Sequence, residues 1–396
     1  MSLRRLQPFA VLFLALGALL PGRALQETPP PRPGEGHLVQ WEGWSFRWSV
    51  RPREGIVLSD VSFQGRKVLK HASIVEIFVP YDQGQPRPED SLDGMGVNLV
   101  ELLPGKDCIP GTICRMLNAE GKEEGKRLVG LHEEYTGLNY LGDQGRSYGK
   151  MLVLWGSSRL GKYTYFLRWR FSSDGSMHPD VGLTGRLEHT RPGTTTPHGT
   201  QVGRESNGEP VFAPSHVHNF YYRLDFDIDG AADDVVEESS HKQDQPGRSL
   251  TAQDQWTPVL REGGRSLDSD AFRTWRVVDK NSKNALGHRR SYELMPGGNG
   301  RFRGAAEEAF TQADLWVTRY RPNEFPLSSE VPVPTRLALP LFTNREPLAE
   351  QDVVVWYTMS VHHIPRTEDW PAMPVVWAGF NLMPRDFLDG SPLRPQ

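Results

Sequence analysis

Short segments rich in β-branched and aromatic residues recur along almost the whole chain, and they constrain the fold more than any other feature. Each is bounded by Gly, Pro, Asn or Asp, which is the pattern of strands joined by turns. Helical spacing is scarce and is clearest over residues 305–313. The sequence therefore predicts an all-β fold, and we expect a large β-sandwich. Five such segments are 44–50, 56–58, 74–79, 163–171 and 220–226.

The amino terminus predicts export. An arginine pair, Arg4 and Arg5, precedes an apolar run from Phe9 to Leu20, and Ala24 offers a small residue before a cleavage site. The run is too short to span a membrane well, so we expect a secreted or periplasmic protein without a membrane span. The predicted organisation is a signal peptide over 1–24, a Pro-rich linker over 25–36 and one folded domain over 37–396.

Composition excludes some partners. The chain has 396 residues with 17 Phe, 11 Trp and 11 Tyr, which is ample for a large core. A formal net charge of −4, without a basic stripe, argues against nucleic acid. The only two cysteines, Cys108 and Cys114, either close a small disulfide loop in an oxidising compartment or stay free. The polar stretch 233–264 is predicted to be a surface excursion.

A pair of histidines, His216 and His218, gives the most direct indication of chemistry. Side chains two residues apart on a strand point to the same face, so both imidazoles can bind one metal ion. The third ligand must come from elsewhere, and the candidates are His362 and His363, which follow the strand-like segment 353–358. Three histidines suit copper or zinc, although an isolated histidine is more often an ordinary hydrogen-bonded residue.

Several separated segments together resemble the catalytic domain of the copper amine oxidases, in the order found in that family and over nearly the whole mature chain. The resemblance implies oxidative deamination of a primary amine by dioxygen, which yields an aldehyde, ammonia and hydrogen peroxide, and it implies a homodimer. We expect a compact member with little beyond a signal and the catalytic domain. The matching segments are 107–108, 132–134, 160–165, 216–218 with 223–230, 315–320 and 352–374.

The same resemblance implies that His216, His218 and His363 bind copper, with His363 preferred because the family's ligand directly precedes a hydrophobic residue and a proline. Tyr163 stands where the family converts a tyrosine into topaquinone, an electron sink that unmodified side chains do not provide. The flanking residues depart from the family pattern, because Lys162 replaces Asn and Thr164 replaces Asp or Glu. An unprocessed core tyrosine is the alternative.

The family's general base is an aspartate that should lie upstream of residue 107, where this chain is shortened. We favour Asp93, because its Leu-Asp-Gly context best imitates the family motif, with Asp90 and Glu89 as alternatives. A solvated loop carboxylate is the opposing interpretation. By the same resemblance, Tyr81 corresponds to the family tyrosine that hydrogen-bonds the quinone and helps to orient it. A buried phenol with another partner is the alternative.

A second cation site is predicted on the strand after the histidine pair. Asp225 and Asp227 alternate along it, so their carboxylates are expected to face one side and to bind a hard cation. By resemblance, Asp352 and the backbone carbonyls of Phe226 and Val353 complete a site for calcium or manganese. A solvated acidic edge is the alternative, since aspartate-rich turns are common.

Two further functions fit the sequence. The first is a catalytically inactive copper-binding relative that acts as a binding protein, which the residues beside Tyr163 and the uncertain base favour. The second is a zinc hydrolase or lyase with three histidine ligands, in which the metal lowers the pKa of a bound water. Substrate choice cannot be read from the sequence.

Overall fold

A computed structural model of the chain confirms the all-β prediction, since antiparallel strands account for most of the structure it describes. No helix in the described part is long and apolar enough to cross a membrane. The predicted signal peptide and most of the predicted linker lie outside the described residues. Those residues are 34–82, 93–108, 112–189, 198–230, 233–240, 255–298, 300–306, 308–322, 324 and 338–393.

The strands follow one another with few helical interruptions. The first eleven are β1 (His37–Trp41), β2 (Trp44–Arg51), β3 (Gly55–Phe63), β4 (Arg66–Phe78), β5 (Cys114–Leu117), β6 (Val129–Gly142), β7 (Gly145–Leu160), β8 (Tyr163–Ser172), β9 (Met177–Gly185), β10 (Thr200–Arg204) and β11 (Pro210–Ala213). The others are β12 (His216–Phe226), β13 (Asp234–Ser240), β14 (Gln255–Pro258), β15 (Gly263–Arg265), β16 (Trp275–Lys283), β17 (Arg289–Met295), β18 (Leu315–Arg319), β19 (Val353–His363), β20 (Met373–Gly379) and β21 (Asn381–Arg385). Among the described residues, the helical elements are the 3-10 turns Ala309–Gln312 and Thr367–Asp369 and a short helix α1 (Ala338–Phe342).

Two large antiparallel sheets contain nearly all of these strands. The first has eight strands in the order β1-β2-β3-β4-β12-β19-β18-β15. The second has eleven strands, with the order β14-β13-β16-β17-β21-β9-β8-β7-β6-β5 and β20 paired additionally to β9. Strands β10 and β11 form a separate hairpin. The central strands β12 and β19 of the first sheet are therefore paired on both edges.

The two sheets pack face to face around one hydrophobic core. Strand β8 alternates buried and partly exposed residues, because its sequence alternates aromatic or aliphatic residues with polar ones. Its buried side chains reach the opposite sheet: Phe171 stacks on Phe46 with ring centroids 4.1 Å apart, and Trp169 meets Tyr222 edge to face at 5.7 Å. This arrangement confirms the predicted sandwich.

Three local predictions have different outcomes. The disulfide between Cys108 and Cys114 is present. The helical pattern over 305–313 gives only the 3-10 turn Ala309–Gln312, because the hydroxyl of Thr311 and the carboxylate of Glu308 bond the backbone locally.

The surface excursion predicted over 233–264 was wrong at both ends, which form β13, β14 and β15. Ion pairs explain the polar strand β13, where the carboxylate of Glu237 accepts hydrogen bonds from two arginines.

Candidate metal centre and active site

Two neighbouring strands bring the three histidines together. His216 and His218 lie at the start of β12, and the antiparallel register pairs His216 with His363 at the end of β19. One nitrogen from each imidazole lies within 4.8 Å of the others. Among the described residues, no other group of three or more His, Cys, Asp or Glu side chains brings its ligand atoms this close together.

Neighbouring groups fix the orientation of the first two imidazoles. With Nε2 left as the lone-pair donor, Nδ1 of His216 donates to the carbonyl of Pro214 at 3.0 Å, and Nδ1 of His218 donates to the phenol oxygen of Tyr165 at 3.1 Å. Nε2 of His218 is buried and has no hydrogen-bond partner in the described structure. A buried nitrogen left with a lone pair is what a metal ligand requires, so the donor set fits copper or zinc.

The third imidazole has a charged partner. Nε2 of His363 donates to Oδ2 of Asp369 at 3.0 Å, which leaves Nδ1 as the metal-facing nitrogen. Asp369 is only 1% exposed and is fixed by the backbone N–H and the guanidinium of Arg366. Burial raises the pKa of Asp369, but the hydrogen bonds from His363 and Arg366 outweigh it and hold the pKa below its usual value. His363 therefore lies against a carboxylate anion.

Burial keeps the first two imidazoles neutral. It lowers the pKa of His216 to about 4 and that of His218 well below its usual value. Desolvation disfavours the charged imidazolium, and the close approach of other imidazoles adds to this effect. Both side chains therefore carry a free lone pair at neutral pH, which metal binding needs.

Tyr163 approaches the histidines from the opposite sheet. Its hydroxyl lies 2.8 Å from Nε2 of His216 and 3.3 Å from Nδ1 of His363, so it faces the nitrogens that are left for a metal. The side chain is 3% exposed. Burial is the main cause that raises the pKa of the Tyr163 phenol well above its usual value, and the neighbouring Tyr81 and Asp369 add to it.

The residues beside Tyr163 point to other partners. The ammonium of Lys162 donates to the carboxylate of Glu188 at 2.7 Å, in a half-exposed ion pair. Thr164 pairs with Thr184 in the ladder between β8 and β9. The departure from the family motif thus leaves the Tyr163 hydroxyl directed at the histidines.

Tyr81 lies at the site, and His362 does not. The Tyr81 ring stacks on His216 with centroids 4.6 Å apart, and the two residues form a β-bridge. The His362 side chain is exposed and bonds the hydroxyl of Ser215 at 2.9 Å. This difference is consistent with the preference for His363 as the third ligand.

Of the three candidate bases, only Asp93 lies within the described residues. Asp90 and Glu89 lie outside them. Asp93 is exposed, and its backbone carbonyl accepts a hydrogen bond from the amide of Asn98 at 2.8 Å. No hydrogen bond or ion pair in the described part joins the Asp93 carboxylate to Tyr163.

The aspartates predicted for the second cation site lie at the carboxyl end of β12 and just before the amino end of β19, and we call Asp225, Asp227 and Asp352 the acidic group. Each carboxylate has one buried oxygen, Oδ1, that lacks a hydrogen-bond partner in the described structure. The other oxygen of Asp227 accepts from Lys67 and that of Asp352 from Lys70, each at 3.2 Å.

A fourth carboxylate, Asp234, lies beside the acidic group. It is fully buried, its Oδ2 accepts from the backbone N–H of Ile228 at 3.3 Å, and its Oδ1 has no partner among the described residues. Burial raises the pKa of Asp234 to about 9, and the charge of Asp227 acts in the same direction. Asp234 is therefore protonated at neutral pH.

The fold and the site define an all-β metalloprotein whose three-histidine centre faces a buried tyrosine. The chain matches the family model for the copper amine oxidase enzyme domain over residues 34–395. It is 31% identical over 419 aligned residues to the copper-containing diamine oxidase 1 of Nicotiana tabacum, covering 94% of this chain and 52% of the relative. It is 30% identical to a primary amine oxidase of Arthrobacter sp. (strain P1), covering 90% and 60%.

A solved structure agrees. The crystal structure of a copper-containing benzylamine oxidase from Hansenula polymorpha superposes with a TM-score of 0.79 at 25% identity, over 93% of this chain and 63% of that one. The chain belongs to the copper amine oxidase family and corresponds to its enzyme domain. It spans only about half to two-thirds of the length of these relatives. The family implies copper and topaquinone as cofactors.

The sequence did not identify the residues that orient the histidine ligands. The spacing of Tyr165 could have indicated its role, because a residue two positions after Tyr163 lies on the same face of β8. Asp369 follows His363 by six residues, but only the turn after β19 shows that it folds back onto the imidazole. Lys70 and Asp234 had no local signal.

Replacing Asp369 with Asn should weaken copper binding by about 10- to 100-fold, because a neutral amide makes His363 a poorer donor. The measurement is the copper affinity, by competition with a chelator of known affinity. Tyr165→Phe removes the uncharged partner of His218 and should weaken copper binding less than Asp369→Asn does. Equal affinity of Asp369→Asn and the wild type would show that the carboxylate does not support the ligand.

Replacing Asp234 with Asn should stabilise the protein at alkaline pH. The unfolded chain releases this proton near the usual pKa of 3.8, whereas the folded state holds it up to about 9. The folded state thus binds more protons within that window, and Asp234 lowers stability as pH rises through it.

Urea denaturation with a chelator at pH 5 and pH 8 measures this effect. The increase in the free energy of unfolding caused by Asp234→Asn should be at least about 1 kcal/mol larger at pH 8 than at pH 5, the equivalent of roughly one pKa unit. Asp143→Asn, in an exposed hairpin tip, serves as the control. Equal gains at both pH values would contradict the raised pKa.

Proposed function

We propose that this chain catalyses the copper- and topaquinone-dependent oxidation of a primary amine by dioxygen, with release of an aldehyde, ammonia and hydrogen peroxide. The observation that carries the proposal is the Tyr163 hydroxyl, which lies 2.8 Å from His216 and 3.3 Å from His363 inside the three-histidine centre. Membership of the copper amine oxidase family supports it.

Nε2 of His216, Nε2 of His218 and Nδ1 of His363 would hold the copper ion. The Tyr163 ring would be the precursor of topaquinone, and that group would supply the electron sink for amine oxidation. The neutral, buried imidazoles bind the metal without first having to lose a proton at neutral pH.

Other residues of the chain orient and shield the reacting ring. Tyr81 packs on His216, and by resemblance to the family it would hydrogen-bond the quinone and help to orient it. Burial of Tyr163 to 3% exposure excludes water from the ring. A carboxylate must accept the proton from the amine carbon, and Asp93, with Asp90 or Glu89 as alternatives, is the candidate.

Three further parts of the proposal rest on the sequence and the family. The acidic group would bind a second, hard cation such as calcium or manganese, and its three buried carboxylate oxygens without partners support this. The predicted signal over residues 1–24 supports a secreted or periplasmic protein. The family resemblance supports a homodimer.

Aerobic loading of the full chain with copper tests the activity. The wild type should release peroxide in proportion to the added amine for at least one of a short alkylamine, an aromatic amine and a diamine. Tyr163→Phe should retain one copper per chain but lose peroxide release to background, because phenylalanine lacks the phenol oxygen needed for quinone formation. Tyr148→Phe, an exposed tyrosine, is the matched control.

Two outcomes contradict the proposal. One is amine-dependent peroxide release that persists in Tyr163→Phe. The other is a copper-replete wild type that releases no peroxide with any of the three amines, which would favour the inactive copper-binding relative. Zinc in place of copper, together with hydrolytic activity, would favour the zinc hydrolase or lyase.

A further inference from the structure

Lys70 lies against the acidic group between an anion and an aromatic ring. Its ammonium donates to Oδ2 of Asp352 at 3.2 Å and lies 3.9 Å from the ring centroid of Tyr320. The backbone N–H of Tyr320 donates to the carbonyl of Asp352 at 2.7 Å, so the ring and the carboxylate are tied together. Lys70 is therefore fixed by an ion pair and by a cation–π contact.

The protein already balances the charge of the acidic group. Its three carboxylates meet three permanent cations, since Lys67 and Lys70 bond Asp227 and Asp352 while Arg223 donates to Asp225 at 3.3 Å. His71 contacts Asp225 as well, at 3.4 Å. The group thus approaches neutrality without a bound metal ion.

The two lysines differ in how firmly they are held. The side chain of Lys67 is 66% exposed, so water competes for its ammonium and it can leave Asp227 at little cost. The side chain of Lys70 is 25% exposed and has the Tyr320 ring beside it.

We propose that Lys70 is a built-in counter-cation of the acidic group and that it competes with a divalent cation for Asp352. The inference rests on the proposed second cation site and adds the residue that sets its affinity. An ammonium within hydrogen-bond distance of a ligand oxygen repels a divalent ion on the same carboxylate, so the ion must displace it or bind weakly. The second site then takes calcium only at high concentration.

Ligand chemistry separates this site from the copper centre. Carboxylate oxygens suit hard cations such as calcium, whereas the three imidazoles suit copper. Calcium binding can therefore be measured on the copper-loaded chain without involving the histidines, and its readout does not depend on amine oxidation.

Calorimetric titration of copper-loaded protein with calcium tests the proposal on the wild type and on three variants. Lys70→Met removes the charge but keeps an unbranched side chain against Tyr320, and it should bind calcium at least 10-fold more tightly than the wild type. Lys67→Met is the matched control and should change the affinity less than threefold, because Lys67 is mostly exposed. Adding Asp352→Asn to Lys70→Met should abolish the gain.

The other possible results of this titration contradict the proposal in different ways. If the wild type binds calcium and Lys70→Met binds it no more tightly, Lys70 is not the competing cation although the second site stands. If neither binds calcium, the second site and this inference fail together, and the copper centre is unaffected. A gain that survives Asp352→Asn would place the calcium elsewhere and contradict the proposal. If Lys70→Met does not fold, Lys70→Gln takes its place in the same comparison.

Discussion

The antiparallel pairing of β12 with β19 is the interaction on which the rest of the site depends. It places His216 opposite His363, and a shift of one residue would turn the third imidazole to the other face of the sheet. A buried hydrogen bond of 2.7 Å from the hydroxyl of Ser360 to the amide oxygen of Asn219 links the same two strands. The strands lie in the middle of the first sheet, where neighbours on both edges keep them in place.

Packing of the second sheet completes the centre. Tyr163 lies on β8, and its hydroxyl reaches the histidines only because the two sheets meet face to face. The same packing buries the site. Burial lowers the pKa values of His216 and His218 and raises the pKa of the Tyr163 phenol, so all three groups are uncharged at neutral pH. The packing of the two sheets therefore accounts both for the neutral imidazoles and for the buried Tyr163 ring beside them.

Much of this arrangement could be predicted from the sequence. The β-branched and aromatic residues of 163–171 and 353–358 predicted strands, and the spacing of His216 and His218 predicted a shared face. Contacts across the fold could not be predicted, because Lys70 and Asp352 lie 282 residues apart and no local pattern links them. The polar strand β13 was also missed, since its ion pairs come from strands that are distant in sequence.

The measurement that tests the central claim most directly is mass spectrometry of the peptide containing Tyr163, from protein matured aerobically with copper, with and without a hydrazine that traps carbonyls. The account predicts the mass of the quinone and its hydrazine adduct on Tyr163, and neither in Tyr163→Phe. An unmodified tyrosine in copper-replete protein would contradict it. The three-histidine centre would then bind metal without producing the cofactor that amine oxidation requires.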